Sequence, residues 1–142
     1  MIFVKHFISA FAMFGLVLST SAIAKEDVPE TLDGTTKVTA EKLIELMQSK
    51  SDLVVIDSRK PSDRAKGHIE GSLALPNTDT NEGSLAKHLK SKATPVAFYC
   101  NGVKCGRSVA AAKIAISHGY SEIYWFRGGW DEWTSKGLPV MK

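Results

Sequence analysis

The sequence predicts a single α/β domain with a mainly parallel central sheet flanked by helices, and three observations lead there. Short, uniformly apolar runs such as Leu53–Ile56 and Pro95–Tyr99 alternate with amphipathic or alanine-rich stretches of helical length, the order that parallel strands and crossover helices require. The apolar runs lack an alternating polar face, as strands covered on both sides should. Asp57, Cys100 and Arg127 each stand at the end of a different strand, where ligands gather in such sheets.

Taken in order, the first 24 residues form a unit of their own. Lys5 and His6 give a short positive start, Phe7 to Leu18 is almost wholly apolar, and Ala22-Ile23-Ala24 carries small residues at the cleavage-determining positions. This pattern reads as a secretory signal peptide cut before Lys25. Its dense apolar run is 12 residues long and ends at Ser19-Thr20-Ser21, short of the roughly 20 apolar residues a membrane span needs. The expected product is therefore periplasmic or secreted, with no membrane attachment once the signal is removed. Cleavage would leave 118 residues, enough for one core. The leader holds one lysine and no acid, so the chain's balance of +3 would fall to +2. So small a charge argues against nucleic acid or a membrane surface as partner, and the size suits a monomer.

Residues 25–36, with Pro29, Gly34 and no clear periodicity, read as an extended lead-in to a domain over 37–142. Thr39 is a plausible N-cap for a helix over Ala40 to Gln48, which places Leu43, Leu46 and Met47 on one face. Leu53–Ile56 is a buried strand ending at Asp57. Pro61 suits the first turn of a short helix running through Ser62 to Lys66, which Gly67 would close. Leu73–Leu75 is a further short strand, and Ser84 to Leu89 a helical stretch. Pro95 opens the strand that delivers Cys100, and Ser108 to His118 is an alanine-rich helix ended by Gly119. Glu122 to Phe126 is the next strand, and a last short helix holds Trp130 and Trp133.

Cys100 carries the chemistry. It lies between a buried strand and a helix, in the loop Asn101-Gly102-Val103-Lys104-Cys105-Gly106-Arg107. A helix N-terminus presents unpaired N–H groups and the positive end of the macrodipole, which favours a thiolate just ahead of it. Gly102 and Gly106 let the backbone curl so that amides of Asn101, Gly102, Val103, Lys104 and Gly106 can converge on an anion, while Lys104 and Arg107 add positive charge. These are the candidate substrate-binding residues. Cys105 follows five positions after Cys100; it resolves a persulfide or sulfenic acid on Cys100 by forming a disulfide, or regulates Cys100, or accepts the sulfur, or is an ordinary loop residue. Asp57 and Arg59 are candidate supporting residues, read chiefly as an internal ion pair. The Cys-x4-Cys spacing, with no second cysteine pair, makes a metal site a poor reading.

Several stretches together resemble the single-domain rhodaneses, a sulfurtransferase family. Val54-Val55-Ile56-Asp57-Ser58-Arg59 resembles the family's first signature strand, and Gly67-His68-Ile69-Glu70-Gly71-Ser72 its Gly-His-Ile segment. Tyr99-Cys100 with Gly102, Arg107 and Ser108 resembles the catalytic loop. Arg127-Gly128-Gly129-Trp130-Asp131-Glu132-Trp133 with Gly137-Leu138-Pro139-Val140 resembles the C-terminal signature. The resemblance implies a Cys100 persulfide, loaded by a small sulfur-containing anion such as thiosulfate and unloaded to a small or protein-borne thiol acceptor, with no metal or organic cofactor. One departure is plain: six residues separate Cys100 from Arg107, two more than in the common short loop, and they include Cys105.

Other functions compete. The second cysteine suggests a thiol redox, sulfur-carrier or sensor module cycling between dithiol and disulfide. A Cys, a loop of amides and an Arg also describe a phosphatase cradle, which usually holds one residue fewer than the six here. A binding domain without catalysis would be indifferent to Cys100→Ser.

Overall fold

The computed structural model describes residues 27–142; the signal-peptide reading of residues 1–24 lies outside them. In chain order the elements are β1 (Thr36–Lys37), α1 (Ala40–Ser49), β2 (Val54–Asp57), α2 (Pro61–Arg64), β3 (His68–Ile69), β4 (Leu73–Ala74), α3 (Glu82–His88), β5 (Val96–Tyr99), α4 (Arg107–Ser117), β6 (Ile123–Phe126), α5 (Gly129–Ser135) and β7 (Val140–Met141).

The expected sheet is present. Five strands run in the order β1-β6-β5-β2-β4, and every neighbouring pair is parallel. The two strands that looked most buried, β2 and β5, lie side by side near the centre in the register Val54↔Val96 to Asp57↔Tyr99. Side chains alternate across the pleat. Ile56, Val96, Phe98 and Ile123 join Leu85 and the α4 alanines Ala111, Ala112 and Ala115 on one face. Val55, Ala97, Tyr99 and Phe126 join Leu43 and Leu46 of α1 and Trp133 of α5 on the other. Both faces of β5 are thus filled, and all four of its residues are buried, which is why its sequence shows no polar alternation.

Thr39 caps α1 by accepting from Lys42 N–H at 3.3 Å. At α3, Asn81 and Ser84 form a reciprocal capping box, so the helix begins at Glu82, two residues before the apolar pattern suggested. Gly67 follows α2 with φ +144°. Three strands were not expected. β1 occupies the end of the lead-in and is exposed, and β3 and β7 form a separate antiparallel ribbon.

Candidate active site

Cys100 directly follows β5 and is 2% exposed. The strand ladder runs past the formal strand ends, because Ser58 N–H donates to Tyr99 O at 2.9 Å just as Val54 N–H donates to Pro95 O at 3.0 Å. Ser58 therefore sits beside Cys100, and the alternation carries both to the face covered by α4. Asp57 and Arg59 fall on the opposite face.

The first half of the loop is clamped from below by α5. Trp130 N–H donates to Cys100 O at 2.8 Å and Asp131 N–H to Asn101 O at 2.7 Å. Close approach of the two segments needs glycine at two points. A Cβ on Gly129, whose φ is +55°, would overlap the Cys100 carbonyl, and one on Gly102 would overlap the Asp131 carboxylate. Gly129 on α5 and Gly102 in the loop are thus what let α5 seat the Cys100 loop.

The second half of the loop is held differently. Cys105 N–H donates to Gly102 O at 3.0 Å, while the backbone N–H groups of Asn101, Gly102, Val103, Lys104 and Gly106 donate to no backbone acceptor among the described residues. Gly106 is the N-cap of α4 and offers no side-chain cap of its own. Amides without partners at the mouth of an 11-residue helix are the donors an anion needs. Val103 stands 47% exposed at the tip, beside the exposed Lys104. Arg107 opens α4 and reaches Asn77 Oδ1 at 3.4 Å, and Asn77 N–H in turn donates to Ser58 O at 3.3 Å. Asn101 donates from its side-chain Nδ2 to Asp63 Oδ2 at 3.0 Å. This bond holds the Asp63 carboxyl below its usual range. The Asn101 side-chain amide is thus engaged, while its backbone N–H is among those without a backbone acceptor among the described residues.

Cys100 and Cys105 are joined in a disulfide, with their Cα atoms 6.1 Å apart, an ordinary separation for such a bridge. The loop spacing left this pairing open. Cys105 is half-buried where Cys100 is sealed.

Asp57 and Arg59 form the internal pair the sequence suggested. Arg59 Nε and Nη2 donate to Asp57 Oδ1 and Oδ2 at 2.9 and 2.8 Å. Tyr99 Oη donates to Oδ2 at 2.8 Å and Arg64 Nη1 at 3.1 Å. Burial works to raise the Asp57 carboxyl, but the bonds from Arg59 and Tyr99 outweigh it and keep it below its ordinary range. The Tyr99 hydroxyl is pushed up to about 12, first by burial and then by the Asp57 charge. The Arg59 guanidinium also donates to Gly67 O at 2.8 Å and lies 4.6 Å from the centroid of the Trp130 ring. This network ties β2, β5, α5 and the Gly67 turn together under the loop. Arg127, at the end of β6, donates instead to the lead-in, from Nε to Pro29 O at 2.8 Å and from Nη2 to Glu30 Oε1 at 2.9 Å.

Ser58 was missed by the sequence reading. Its hydroxyl is fully buried and has no hydrogen-bond partner among the described residues. The available signal was its register: a small polar residue one place beyond a strand, opposite the cysteine. Among the described residues, no three of His, Cys, Asp and Glu converge as a metal-ligand set.

The family model for the rhodanese-like domain matches residues 39–136. Thiosulfate sulfurtransferase GlpE of Pseudomonas fluorescens is 33% identical over 82 residues, 58% of this chain and 71% of that protein. The BH2092 protein of Bacillus halodurans superposes with a TM-score of 0.66 at 21% identity, over 75% of this chain and 77% of that one. The polysulfide-sulfur transferase homodimer of Wolinella succinogenes gives a TM-score of 0.61 at 25% identity, over 76% of this chain and 79% of that one.

Proposed function

The chain belongs to the rhodanese-like domain family, and from that premise we propose that it is an exported sulfurtransferase that moves sulfane sulfur from thiosulfate or a related donor to a thiol acceptor through a persulfide on Cys100. The observation that carries the reading is the setting of Cys100: sealed just beyond the central strand β5, ahead of α4, in a loop where the N–H groups of Asn101, Gly102, Val103, Lys104 and Gly106 have no backbone partners among the described residues. Relatives and structural neighbours named as thiosulfate and polysulfide sulfurtransferases support the reaction class.

The cycle starts from the reduced pair. The Cys100 thiolate attacks the outer sulfur of thiosulfate, the S–S bond of the donor breaks, and sulfite departs with the bonding electrons. Loop amides, Lys104 and Arg107 hold the anionic donor and the leaving group. Ser58, which the strand register sets beside Cys100 and whose hydroxyl has no hydrogen-bond partner among the described residues, is the side-chain donor for the thiolate in this reading. An acceptor thiolate then attacks the outer persulfide sulfur and regenerates the Cys100 thiolate. The work is done in the periplasm or outside the cell by a monomer, with small-molecule or protein thiols as acceptors.

Mass spectrometry on pre-reduced protein after thiosulfate treatment tests this. A one-sulfur adduct confined to Cys100 and abolished by Cys100→Ser is expected, and its absence with several sulfane donors would refute the reading. The disulfide itself favours a second reading, a thiol redox module; equilibration against a redox buffer without any sulfur donor measures how readily that bridge is reduced.

A further inference from the structure

Resting on the sulfurtransferase reading, we infer that Cys105 is a resolving thiol that discharges the Cys100 persulfide as hydrosulfide, so that the protein also reduces sulfane sulfur to sulfide at the expense of an external dithiol. The bridge between Cys100 and Cys105 shows which atoms meet. Cys105 Sγ reaches Cys100 Sγ, the inner sulfur of the persulfide. The outer sulfur lies a further S–S bond away, about 2 Å.

The loop is built in two halves suited to such a step. The half carrying Cys100 is fixed by the Trp130 and Asp131 amides and by the fit of Gly102 and Gly129. Among the described residues, the half carrying Cys105 donates a single backbone hydrogen bond, Cys105 N–H to Gly102 O, which lies within the loop itself. A firmly held electrophilic sulfur is thus paired with a thiol on a sparsely anchored arm.

In the discharge step the Cys105 thiolate attacks the inner sulfur of Cys100–S–SH. The Cys100–Cys105 bond forms, the persulfide bond breaks, and its electron pair leaves on HS⁻. The sulfane sulfur is reduced by two electrons and the two thiol sulfurs are oxidised to the disulfide. Hydrosulfide is the conjugate base of a stronger acid than a cysteine thiol, which favours its departure. An external dithiol then attacks the disulfide at Cys105, the half-exposed sulfur, and expels the Cys100 thiolate, which the loop amides and α4 favour as leaving group. The sum is thiosulfate plus a dithiol giving sulfite, hydrosulfide, the partner's disulfide and one proton.

The test is a single turnover of pre-reduced protein with thiosulfate, after all external thiol has been removed. Wild type is expected to release sulfite and sulfide in equal amounts, one of each per chain, and to end as the Cys100–Cys105 disulfide. Cys105→Ser, and Cys105→Ala as a second variant, should release sulfite without sulfide and retain one extra sulfur on Cys100. A wild type that holds its persulfide as long as the variants do overturns the inference and leaves the sulfurtransferase reading standing. Absence of both sulfite and adduct from all three proteins overturns both.

Discussion

Asp57→Asn should destabilise the domain severely at neutral pH while leaving the overall shape of that side chain intact. In the native protein the carboxylate accepts from Arg59 backbone N–H at 3.1 Å, from Arg59 Nε and Nη2, from Arg64 Nη1 and from the Tyr99 hydroxyl. All of these are donors, so an asparagine NH₂ meets donors whichever way its amide is turned. Asp57 and Arg59 are 1% and 2% exposed, and removing the charge leaves the Arg59 guanidinium buried without a counter-ion. Breaking one side of such a pair costs about 3–5 kcal/mol, and in a domain of this size that corresponds to a fall in Tm on the order of 10–25 °C. Urea denaturation across pH supplies the assay. The native Asp57 carboxyl is held below its ordinary range, so its contribution is fully present above the unfolded pKa of about 3.9 and is lost as pH falls through the folded value. The gap between wild type and Asp57→Asn should therefore close in acid. A gap below about 1 kcal/mol at pH 7, the range of an exposed pair, would refute the account of this network as a buried, charge-dependent clamp.

Three further substitutions probe the site and its frame. Gly129→Ala places a methyl against the Cys100 carbonyl at a left-handed φ of +55°; a loss of about 1–3 kcal/mol in urea denaturation and slower sulfur loading of Cys100 are expected. Ser58→Ala deletes a buried hydroxyl that has no hydrogen-bond partner among the described residues, so stability should change by no more than about 0.5 kcal/mol. The apparent pKa of Cys100, read from alkylation rate against pH in the reduced protein, should nevertheless rise. Arg127→Ala releases Pro29 and Glu30, so limited proteolysis within residues 29–35 should accelerate while global unfolding moves by less than about 1 kcal/mol.

Much of the architecture was legible because it rests on local chemistry. β2 and β5 announce themselves as unbroken apolar runs, Thr39 is a cap readable from one residue, and the four signature stretches resemble one family in the expected order. The elements that escaped are short and stabilised from a distance. β1 is two exposed residues paired with β6, and β3 pairs with β7 across 73 residues, from His68 to Met141. Neither buries a face that periodicity could register. At the site, Cys100 stood out by its position between strand and helix, and Arg59 beside Asp57 was read as an ion pair. The engagement of the Asn101 side-chain amide by Asp63 on α2, 38 residues away in the chain, was not legible.

By itself the sequence determined the parallel α/β fold and the placing of a cysteine ahead of a helix, because burial pattern and helix-end electrostatics act over a few neighbouring residues. Tertiary structure alone decided the rest. It joined Cys100 to Cys105, placed Ser58 beside Cys100 through the strand register, and set Asp57 and Arg59 on the far face of the sheet as a clamp. Those outcomes depend on register and on the approach of segments far apart in the chain, above all α5 beneath the loop through Gly129. Such distances are fixed only when the sheet has formed.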